Sequence, residues 1–410
     1  MQQFLVEAKK TSRHISTLSG EIKNKVLNEM SDAIIEHCDY IISHNEKDME
    51  NGRVNNLDAA LMDRLLLTGD RVMGMAKAIK EIAALKDPVG RTLEGWITED
   101  ELNIQKVSIP IGVIGIIYES RPNVTSDTAA LCFKSGNVCV LKGGKEAEHS
   151  NKAIATILRN VLDNNGLPQN AISLLPDSSR EGVAKLIKED KYVDLIIPRG
   201  GEALIKYVSE NSSVPVIKHD KGVCHTYIDK DANHEKAISI SINAKCSRPS
   251  ACNALETLLV HKDVAAYILP PLHEAFMQND TELRGCSNTR EYIDIHCASE
   301  NDYDTEYLAN ILSIKIVKDL DEAIAHISKY GSGHSEAIIS ENYSSITKFL
   351  NEVDSACVYA NASTRFTDGG AFGLGAEVGI STNKLHSRGP MGINDLTTFK
   401  FKIYGNGQIR

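Results

Sequence analysis

The sequence contains no apolar run that approaches the ~20 residues needed to cross a bilayer. Its N-terminus, MQQFLVEAKKTSRHIS, is amphipathic and charged, and it lacks the apolar core of a signal peptide. Basic residues are also in deficit, since 45 Lys and Arg face 55 Asp and Glu and leave a net charge of −10. These features argue against a membrane span and against a general affinity for nucleic acid, and they predict a cytoplasmic protein.

Paired cysteine motifs are missing as well. The nine cysteines are scattered, none forms a CxxC pair, and no set of Cys and His has zinc-finger spacing. A disulfide framework is therefore not expected in a chain of this size, and no metal site is predicted. Cytoplasmic thiols stay reduced, so each cysteine is available for chemistry.

Helices and strands alternate along most of the chain. The first ninety residues show helical spacing of apolar side chains, and the run IGVIGIIYE at 111–119 is typical of a strand buried on both faces of a parallel sheet. Alternation continues to a break near 214–222, and a second block runs from about 224 to about 360. This pattern predicts an α/β fold with two doubly wound parallel-sheet domains, whose ligands bind at the carboxyl ends of the strands.

Two segments alternate like strands but have no sequential strand partner. They are ELNIQKVS at 101–108 and the tail TTFKFKIYGNGQ that begins at Thr397. Because an unpaired strand edge invites pairing with another chain, we expect them to pair across a subunit interface. The prediction is a small β oligomerisation element and a homo-oligomer.

Cys252 lies in the small-residue turn 250–254, directly before the apolar run 255–260. One interpretation is a small, inert core filler, which suits Cys132 and Cys139 in a helix and a strand. The other is a nucleophile, because the turn before a strand is a common place for reactive groups in α/β proteins. Lys245 and Arg248, a few residues upstream, would then lower the pKa of the thiol.

A polar turn follows the apolar run at 111–119 and contains Arg121 and Asn123. Asn123 is either a helix N-cap or a donor to an oxyanion. Arg121 is either a solvated surface residue or a ligand for a carboxylate or phosphate. The residue pattern alone leaves both alternatives open.

Two further strand-to-helix turns are rich in glycine and basic residues. Lys142, Gly143, Gly144 and Lys145 form the first, and Gly200 and Gly201 lie in the second. Helix N-termini provide free N–H groups and a partial positive charge, so both turns suit a phosphorylated nucleotide. The alternative is a pair of ordinary tight turns.

The segment 366–380 carries five glycines, which indicates mobility or close backbone approach to a neighbour. Glu377 lies within this glycine-rich segment. It is either a surface glutamate or part of a binding site.

In this order the motifs resemble the aldehyde dehydrogenase superfamily, and more closely its γ-glutamyl phosphate reductase branch. The resemblance covers nearly the whole chain and is carried by five stretches: IPIGVIGIIYESRPNVTSDTAALCFKSGNVCVLKGGKEA, VDLIIPRGGEALI, VPVIKHDKGVCHTYID, RPSACNALETLLVH and AFGLGAEVGISTNKLHSRGPMG. It implies an aldehyde dehydrogenase-like fold. It also implies a cofactor-binding domain at 1–223 with an oligomerisation strand segment at 95–110, a catalytic domain at 224–365, and a return segment and oligomerisation tail at 366–410.

The resemblance also implies roles for single residues. Cys252 matches the nucleophile and Asn123 the oxyanion donor. For the cofactor, NADPH or NADP, the matching positions are Lys142, Gly143, Gly144, Lys145, Gly200, Gly201 and Glu377. For the phosphate or α-carboxylate of the substrate, the candidates are Arg121, Arg248 and Arg365, in no fixed order.

One departure from the superfamily pattern indicates the reaction. Hydrolytic members carry a glutamate base in a motif like ELGGKS, whereas the corresponding stretch here is KHDKGVCH. That base activates water against a thioester, so its absence favours exchange of the thioester with phosphate. The resemblance therefore implies NADPH-dependent reduction of L-glutamyl 5-phosphate to L-glutamate 5-semialdehyde and phosphate through a Cys thioester, in proline biosynthesis.

Two other readings stay open at this point. The chain is alternatively a CoA-acylating or non-phosphorylating aldehyde dehydrogenase, or a non-catalytic oligomeric binding protein. No kinase-like segment precedes Met1, so we expect a stand-alone reductase. Glutamate 5-kinase is a candidate partner, and neither nucleic acid nor membrane is expected to bind.

Overall fold

The computed structural model describes residues 2–217 and 221–410, and these fall into two compact units. The first unit holds the described part of Met1–Lys218 together with Gly373–Gly379 and Met391–Arg410. The second holds the described part of His219–Phe372 together with Ile380–Pro390. Each unit contains its own parallel sheet, as the alternation of helices and strands predicts.

The first unit begins with helices, in agreement with the helical spacing of its apolar residues. Ser19, Asp58 and Thr68 each accept a backbone N–H bond at the start of a helix, a role that these residue types favour. The apolar face of the second helix, which includes Val26 and Met30, is fully buried. The helices are α1 (Gln2–Ile15), α2 (Gly20–Glu36), α3 (Cys38–Val54), α4 (Ala59–Leu65) and α5 (Gly69–Ala84).

A four-stranded parallel sheet follows, with helices between its strands. Two strands that belong to a separate sheet precede it, β1 (Thr92–Ile97) and β2 (Asn103–Pro110). The elements that follow are β3 (Val113–Tyr118), α6 (Asn123–Lys134), β4 (Val138–Lys142), α7 (Glu148–Asn164), β5 (Ile172–Leu174), α8 (Arg180–Leu186), β6 (Leu195–Arg199) and α9 (Glu202–Asn211). The sheet order is β5-β4-β3-β6, and all its pairs are parallel. The turns after β4, β3 and β6 therefore lie next to one another at one edge of the sheet.

The second unit is a seven-stranded parallel sheet with the order β10-β9-β11-β8-β7-β12-β13. Its first half comprises β7 (Cys224–Ile228), α10 (His234–Cys246), β8 (Leu255–His261), α11 (Lys262–Met277), β9 (Glu282–Gly285) and β10 (His296–Cys297). Its second half comprises α12 (Glu300–Tyr303), β11 (Ile311–Val317), α13 (Leu320–Tyr330), β12 (Ser335–Ile339), α14 (Tyr343–Glu352) and β13 (Cys357–Ala360). The fully buried run of β8 follows directly on the turn that carries Cys252.

The last strands of the chain lie in β14 (Gly379–Ser381), β15 (Gly389–Met391) and β16 (Thr397–Tyr404). β14 pairs with β15, where the chain passes between the two units, and β16 joins β1 and β2 in a three-stranded sheet. Short 3₁₀ turns lie at Lys145–Ala147, Gln169–Ala171, Thr289–Glu291, Thr364–Phe366 and Ile393–Leu396. The predicted strand in the tail is confirmed.

The pairing of the tail strand corrects one expectation. β16 pairs antiparallel with β2 of the same chain, from Thr397 opposite Pro110 to Tyr404 opposite Asn103. The expectation that β2 pairs across a subunit interface is wrong, because β2 is paired with β1 on one side and with β16 on the other within one chain. β16 ends the three-stranded sheet, and its pairing across a subunit interface stays a prediction. Among the described helices, none combines the length and the apolar character that a bilayer crossing requires.

Candidate active site

Cys252 occupies the turn between α10 and β8 in the second unit. The turn is closed by hydrogen bonds from the Ala251 amide to the Arg248 carbonyl at 3.1 Å and from the Ala254 amide to the Ala251 carbonyl at 2.9 Å. Cys252 is half-buried, whereas Cys132 and Cys139 are completely buried, as the inert interpretation of those two residues requires. The thiol of Cys252 therefore lies at the margin of the second unit's core.

Two residues at or just before the start of β7, Gly222 and Cys224, contact the backbone of the Cys252 turn. The Cys224 thiol donates to the Cys252 carbonyl oxygen at 3.4 Å, and burial raises the pKa of Cys224 so that the thiol keeps its proton. A Cβ atom on Gly222 would overlap the same carbonyl oxygen and would lie 2.9 Å from the Cys252 Cα. Sequence reasoning missed both residues, because neither carries a functional pattern of its own.

Two of the three predicted substrate arginines flank this turn. Arg365 donates through Nη1 to Asn253 Oδ1 and through Nε to Ser247 Oγ at 3.2 Å. Burial lowers the pKa of Arg365, the nearby charge of Arg248 lowers it further, and Cys252 opposes the change. The structure thus brings Arg248, Cys252 and Arg365 into one electrostatic neighbourhood.

Lys245, in contrast, is committed to an ion pair. Its Nζ donates to Glu256 Oε2 at 2.6 Å, and both side chains are fully buried. Burial raises the pKa of Glu256, and Lys245 opposes that rise. Glu256 therefore balances the charge of Lys245, whereas Arg248 and Arg365 lie in the electrostatic neighbourhood of Cys252.

In the first unit, Asn123 begins α6 and Pro122 occupies the cap position. The interpretation of Asn123 as a helix cap is therefore wrong. Its Nδ2 instead donates to Asp127 Oδ2 at 3.0 Å, one turn along the same helix. Arg121 and Asn123 are both exposed at the carboxyl end of β3.

The turn after β4 carries the predicted lysines and glycines. Burial lowers the pKa of half-buried Lys142, and the carboxylates of Glu146 and Glu119 oppose that change. A Cβ atom on Gly144 would overlap the Glu146 carboxylate, which accepts from the backbone N and the Oγ of Ser120 at 2.8 and 2.7 Å. A side chain at position 144 would therefore force the Glu146 carboxylate to move.

The same close approach holds for Gly143, where a Cβ atom would overlap the side chain of Asn151. Lys145 is exposed at the start of the following 3₁₀ turn. Sequence reasoning missed Glu119, which comes from the turn after β3, and Glu146, because no spacing rule marks a carboxylate that contacts a turn in this way.

Three of the N–H groups at these helix starts are occupied by carboxylates, although we expected such groups to be free for phosphate. Asp48 of α3 accepts from the amides of His149 at 3.1 Å and Ser150 at 2.7 Å at the start of α7. Glu119 accepts from the amide of Gly201 at 2.8 Å at the start of α9. Lys142 and Lys145 add two basic side chains to this edge of the sheet.

Gly200 and Gly201 lie directly after β6, as predicted. A Cβ atom on Gly200 would lie 2.7 Å from both the Glu119 carboxyl carbon and Leu204 Cδ2. Glu377 lies in the part of the glycine-rich segment that belongs to the first unit, and it is half-buried. In that segment a Cβ atom on Gly379 would lie 2.7 Å from Arg199 Nη1.

The stretch KHDKGVCH, on which the missing glutamate base depends, is described only in part. Its first three residues, 218–220, lie outside the described residues. The absence of a base from this stretch therefore stays a statement about the sequence.

A sequence model of the aldehyde dehydrogenase family matches residues 1–282. The chain belongs to the aldehyde dehydrogenase family. Enzymes of this family use NAD or NADP, and the cationic turn after β4 fits a phosphorylated nucleotide. The two lysine side chains and the half-burial of Lys142 are the features that fit.

Full-length relatives of this aldehyde dehydrogenase carry a more specific name. The present chain is 70% identical over 410 residues to a gamma-glutamyl phosphate reductase from Aliarcobacter butzleri, with all of both chains covered. It is 67% identical over 410 residues to one from Sulfurovum sp., again with all of both chains covered. The crystal structure of gamma-glutamyl phosphate reductase from Thermotoga maritima matches with a TM-score of 0.98 and 44% identity, covering 100% of this chain and 99% of that one. The predicted aldehyde dehydrogenase-like α/β fold is confirmed.

Proposed function

We propose that this aldehyde dehydrogenase reduces L-glutamyl 5-phosphate to L-glutamate 5-semialdehyde and phosphate with NADPH, as a step of proline biosynthesis. The observation that carries the proposal is the half-buried Cys252 thiol in the electrostatic neighbourhood of Arg248 and Arg365. Two guanidinium groups suit a substrate that carries a phosphate and a carboxylate. The names of the full-length relatives support the same substrate.

Cys252 acts as the nucleophile in this proposal. Its thiolate attacks the C5 carbonyl carbon, a C–S bond forms, and phosphate leaves with the electron pair of the C–O bond. NADPH, when bound, would supply the hydride that reduces the thioester carbon, and Cys252 would then leave as a thiolate as the C–S bond breaks. Arg248 and Arg365 stabilise the thiolate, because cations lower the pKa of a nearby thiol.

Asn123 is proposed to donate to the oxyanion that develops on the carbonyl oxygen, together with the Cys252 amide. Loss of such a donor typically lowers kcat by about 10²–10³-fold. Arg121 joins Arg248 and Arg365 as a ligand for the phosphate and α-carboxylate. All three carry a permanent charge at neutral pH, which these anions require.

The cofactor is proposed to lie along the turns after β4 and β6. Lys142, Gly143, Gly144 and Lys145 would hold the adenosine ribose and its 2′-phosphate, which favours NADP over NAD. Gly200 and Gly201 would face the pyrophosphate, and Glu377 would hold the nicotinamide ribose. The half-burial of Lys142 among carboxylates supports a rigid, preorganised position for its ammonium group.

A phosphate-dependent assay tests the proposal. Wild-type enzyme is expected to oxidise glutamate semialdehyde with NADP only when phosphate is present, and Cys252→Ala is expected to lose at least about 10³-fold in kcat. Cys297→Ala, which changes an exposed cysteine on β10, serves as the matched control and is expected to retain wild-type activity.

Three outcomes would overturn the assignment. Turnover with CoA in place of phosphate indicates a CoA-acylating enzyme, and turnover without either indicates a hydrolytic one. Absence of turnover under all conditions, with no preferential alkylation of Cys252 by iodoacetamide, indicates a non-catalytic binding protein.

The three-stranded sheet is proposed to be the surface through which copies of this chain associate. Trp96, Phe399, Phe401 and Ile403 are each 43% to 59% exposed, and the strand register puts them on one face together with Ile104. Exposed apolar faces of this kind mark interaction sites.

A cytoplasmic location is proposed because it fits the requirement for a reduced thiol. Glutamate 5-kinase is the proposed partner because it forms the labile acyl phosphate.

A further inference from the structure

The side chain of Asn123 is fixed by a carboxylate on its own helix. Asn123 Nδ2 donates to Asp127 Oδ2 at 3.0 Å, and residues four apart on a helix are neighbours on one face. Ser126 Oγ donates to the Asn123 carbonyl oxygen at 2.8 Å and lies 3.3 Å from Asp127 Oδ1. The first turn of α6 therefore holds an amide and a carboxylate in a defined arrangement.

The chemistry of the carboxylate determines which way the amide faces. An ionised carboxylate only accepts hydrogen bonds, so the side-chain NH₂ group of Asn123 must face Asp127. The side-chain oxygen of Asn123, Oδ1, must then face away from Asp127. An amide nitrogen carries two hydrogens, and Asp127 accepts one of them. Because the amide group is planar, the hydrogen bond to Asp127 also fixes the direction of the second N–H bond of Asn123.

Asp127 lies close to the border between its two protonation states. Burial raises the pKa of Asp127 to about 6, whereas the hydrogen bonds from Asn123 and Ser126 and the charge of Arg199 on β6 lower it. Arg199 is itself confined, since a Cβ atom on Gly379 would lie 2.7 Å from its Nη1. At neutral pH the carboxylate form predominates, and the arrangement above is maintained.

We infer that Asp127 is a positioning residue that acts through Asn123, by holding the amide so that one N–H points at the developing oxyanion. This inference rests on the proposed function, and in particular on the oxyanion role of Asn123. Asp127 itself touches neither substrate nor cofactor in this scheme. Its effect is to remove the rotational freedom that an exposed asparagine side chain otherwise has.

A double-mutant cycle on the full-length enzyme tests this inference. Asn123→Ala is expected to lower kcat by about 10²–10³-fold, and Asp127→Ala by roughly 10-fold, since it loosens the donor without removing it. Because Asp127 acts only through Asn123, the double variant is expected to match Asn123→Ala. Asp127→Asn, which keeps an acceptor oxygen in place, is expected to recover part of the loss.

The control is Glu81→Ala on α5, which removes another helical carboxylate whose partner, Lys77, lies four residues away at 3.7 Å. Its kcat is expected to equal that of wild type. The KM values for glutamate semialdehyde, phosphate and NADP are expected to change less than about 2-fold in Asp127→Ala, because ground-state binding is untouched. Thermal unfolding of each variant identifies one that fails to fold.

The pH profile gives a second readout with a defined sign. The pKa of Asp127 is raised to about 6, so its charged form is present above that pH and is lost as the pH falls through it. The ratio of wild-type to Asp127→Asn kcat is therefore expected to exceed one at pH 8 and to approach one at pH 5. Groups that titrate in both proteins cancel in the ratio.

Additive effects of the two alanine substitutions would overturn the inference, as would a pH-independent ratio or a loss that falls entirely on KM. A wild-type enzyme that lacks phosphate-dependent turnover would instead overturn the proposed function. An Asn123→Ala variant with wild-type kcat would overturn the oxyanion role and the inference with it, while leaving the nucleophile assignment intact.

Discussion

Gly222 has no side chain, yet it controls how the proposed nucleophile is presented. Its backbone packs directly on the Cys252 carbonyl, where a Cβ atom would overlap the oxygen. The Cys224 thiol donates to the same oxygen at 3.4 Å. Sequence reasoning identified Cys252 from its turn but missed these two neighbours, because close approach of two backbones leaves no trace in residue spacing.

Replacement of Gly222 by alanine is expected to displace the Cys252 turn and to lower kcat by roughly 10²-fold, the usual consequence of a shift of about 1 Å in a reacting group. The measurement is steady-state kinetics of semialdehyde oxidation with saturating phosphate and NADP. Gly74→Ala is the matched control, since a Cβ atom at this position on α5 has open space around it. That variant is expected to keep full activity and to gain roughly 0.5–1 kcal/mol of stability. Equal activities for the two variants would contradict the prediction.

At the scale of elements, continuous apolar runs and clear helical spacing were sufficient to predict most of the fold. The run at 111–119 is found as fully buried β3 (Val113–Tyr118), and the run after Cys252 is found as fully buried β8. β9, β10 and α12 escaped prediction because they are four, two and four residues long. Elements of two to four residues carry too few side chains to show the periodic spacing of apolar residues that marks a strand or a helix.

The turns between elements were predicted by position but not by their internal contacts. Lys142 and Lys145 lie where the sequence predicts them, at the carboxyl edge of the first sheet. The carboxylates of Asp48 and Glu119, which accept the helix N-terminal N–H groups, come from other elements. Contacts of this kind depend on tertiary packing and are not encoded in a local motif.

Cofactor preference is expected to reside in the turn after β4. Lys145→Ala is expected to raise KM for NADP by about 10–100-fold with little effect on KM for NAD, because only NADP carries the 2′-phosphate that a charged hydrogen bond would stabilise. The measurement is KM for each nucleotide at fixed semialdehyde and phosphate. Lys152→Ala is the control, since this exposed lysine on α7 pairs with Glu148. Equal increases for NADP and NAD would contradict the prediction.

At the scale of the whole molecule, the three-stranded sheet is the least expected part of the fold. The alternation of apolar and polar residues predicted the strands but not their partners, and β16 and β2 pair within one chain. A sequence pattern shows that a segment forms a strand, and it does not show which strand lies beside it. The pairing gathers Trp96 and Phe401, whose ring centroids lie 6.1 Å apart, on one exposed face. An apolar face on an already paired sheet favours association by face-to-face packing.

Phe401→Asn is expected to shift the assembly toward single chains of 44.9 kDa, because it removes an aromatic side chain that is 51% exposed on this face and contributes about 1.5–3 kcal/mol when buried. Sedimentation velocity across a range of protein concentrations measures the shift. Lys402→Asn changes the next residue, whose side chain lies on the opposite face of β16, and it is expected to leave the assembly unchanged. A wild-type protein that sediments as a single chain would contradict the prediction.

The pairing of β16 with β2 also sets the order of events during synthesis. The paired residues lie about three hundred positions apart in the chain, so contacts of this range form late and slowly. Until β16 has been synthesised, we expect β2 to have β1 on one side and an open edge on the other. We therefore expect the complete apolar face to form only after both parallel sheets have been translated, so that the proposed association of copies would follow the folding of each chain.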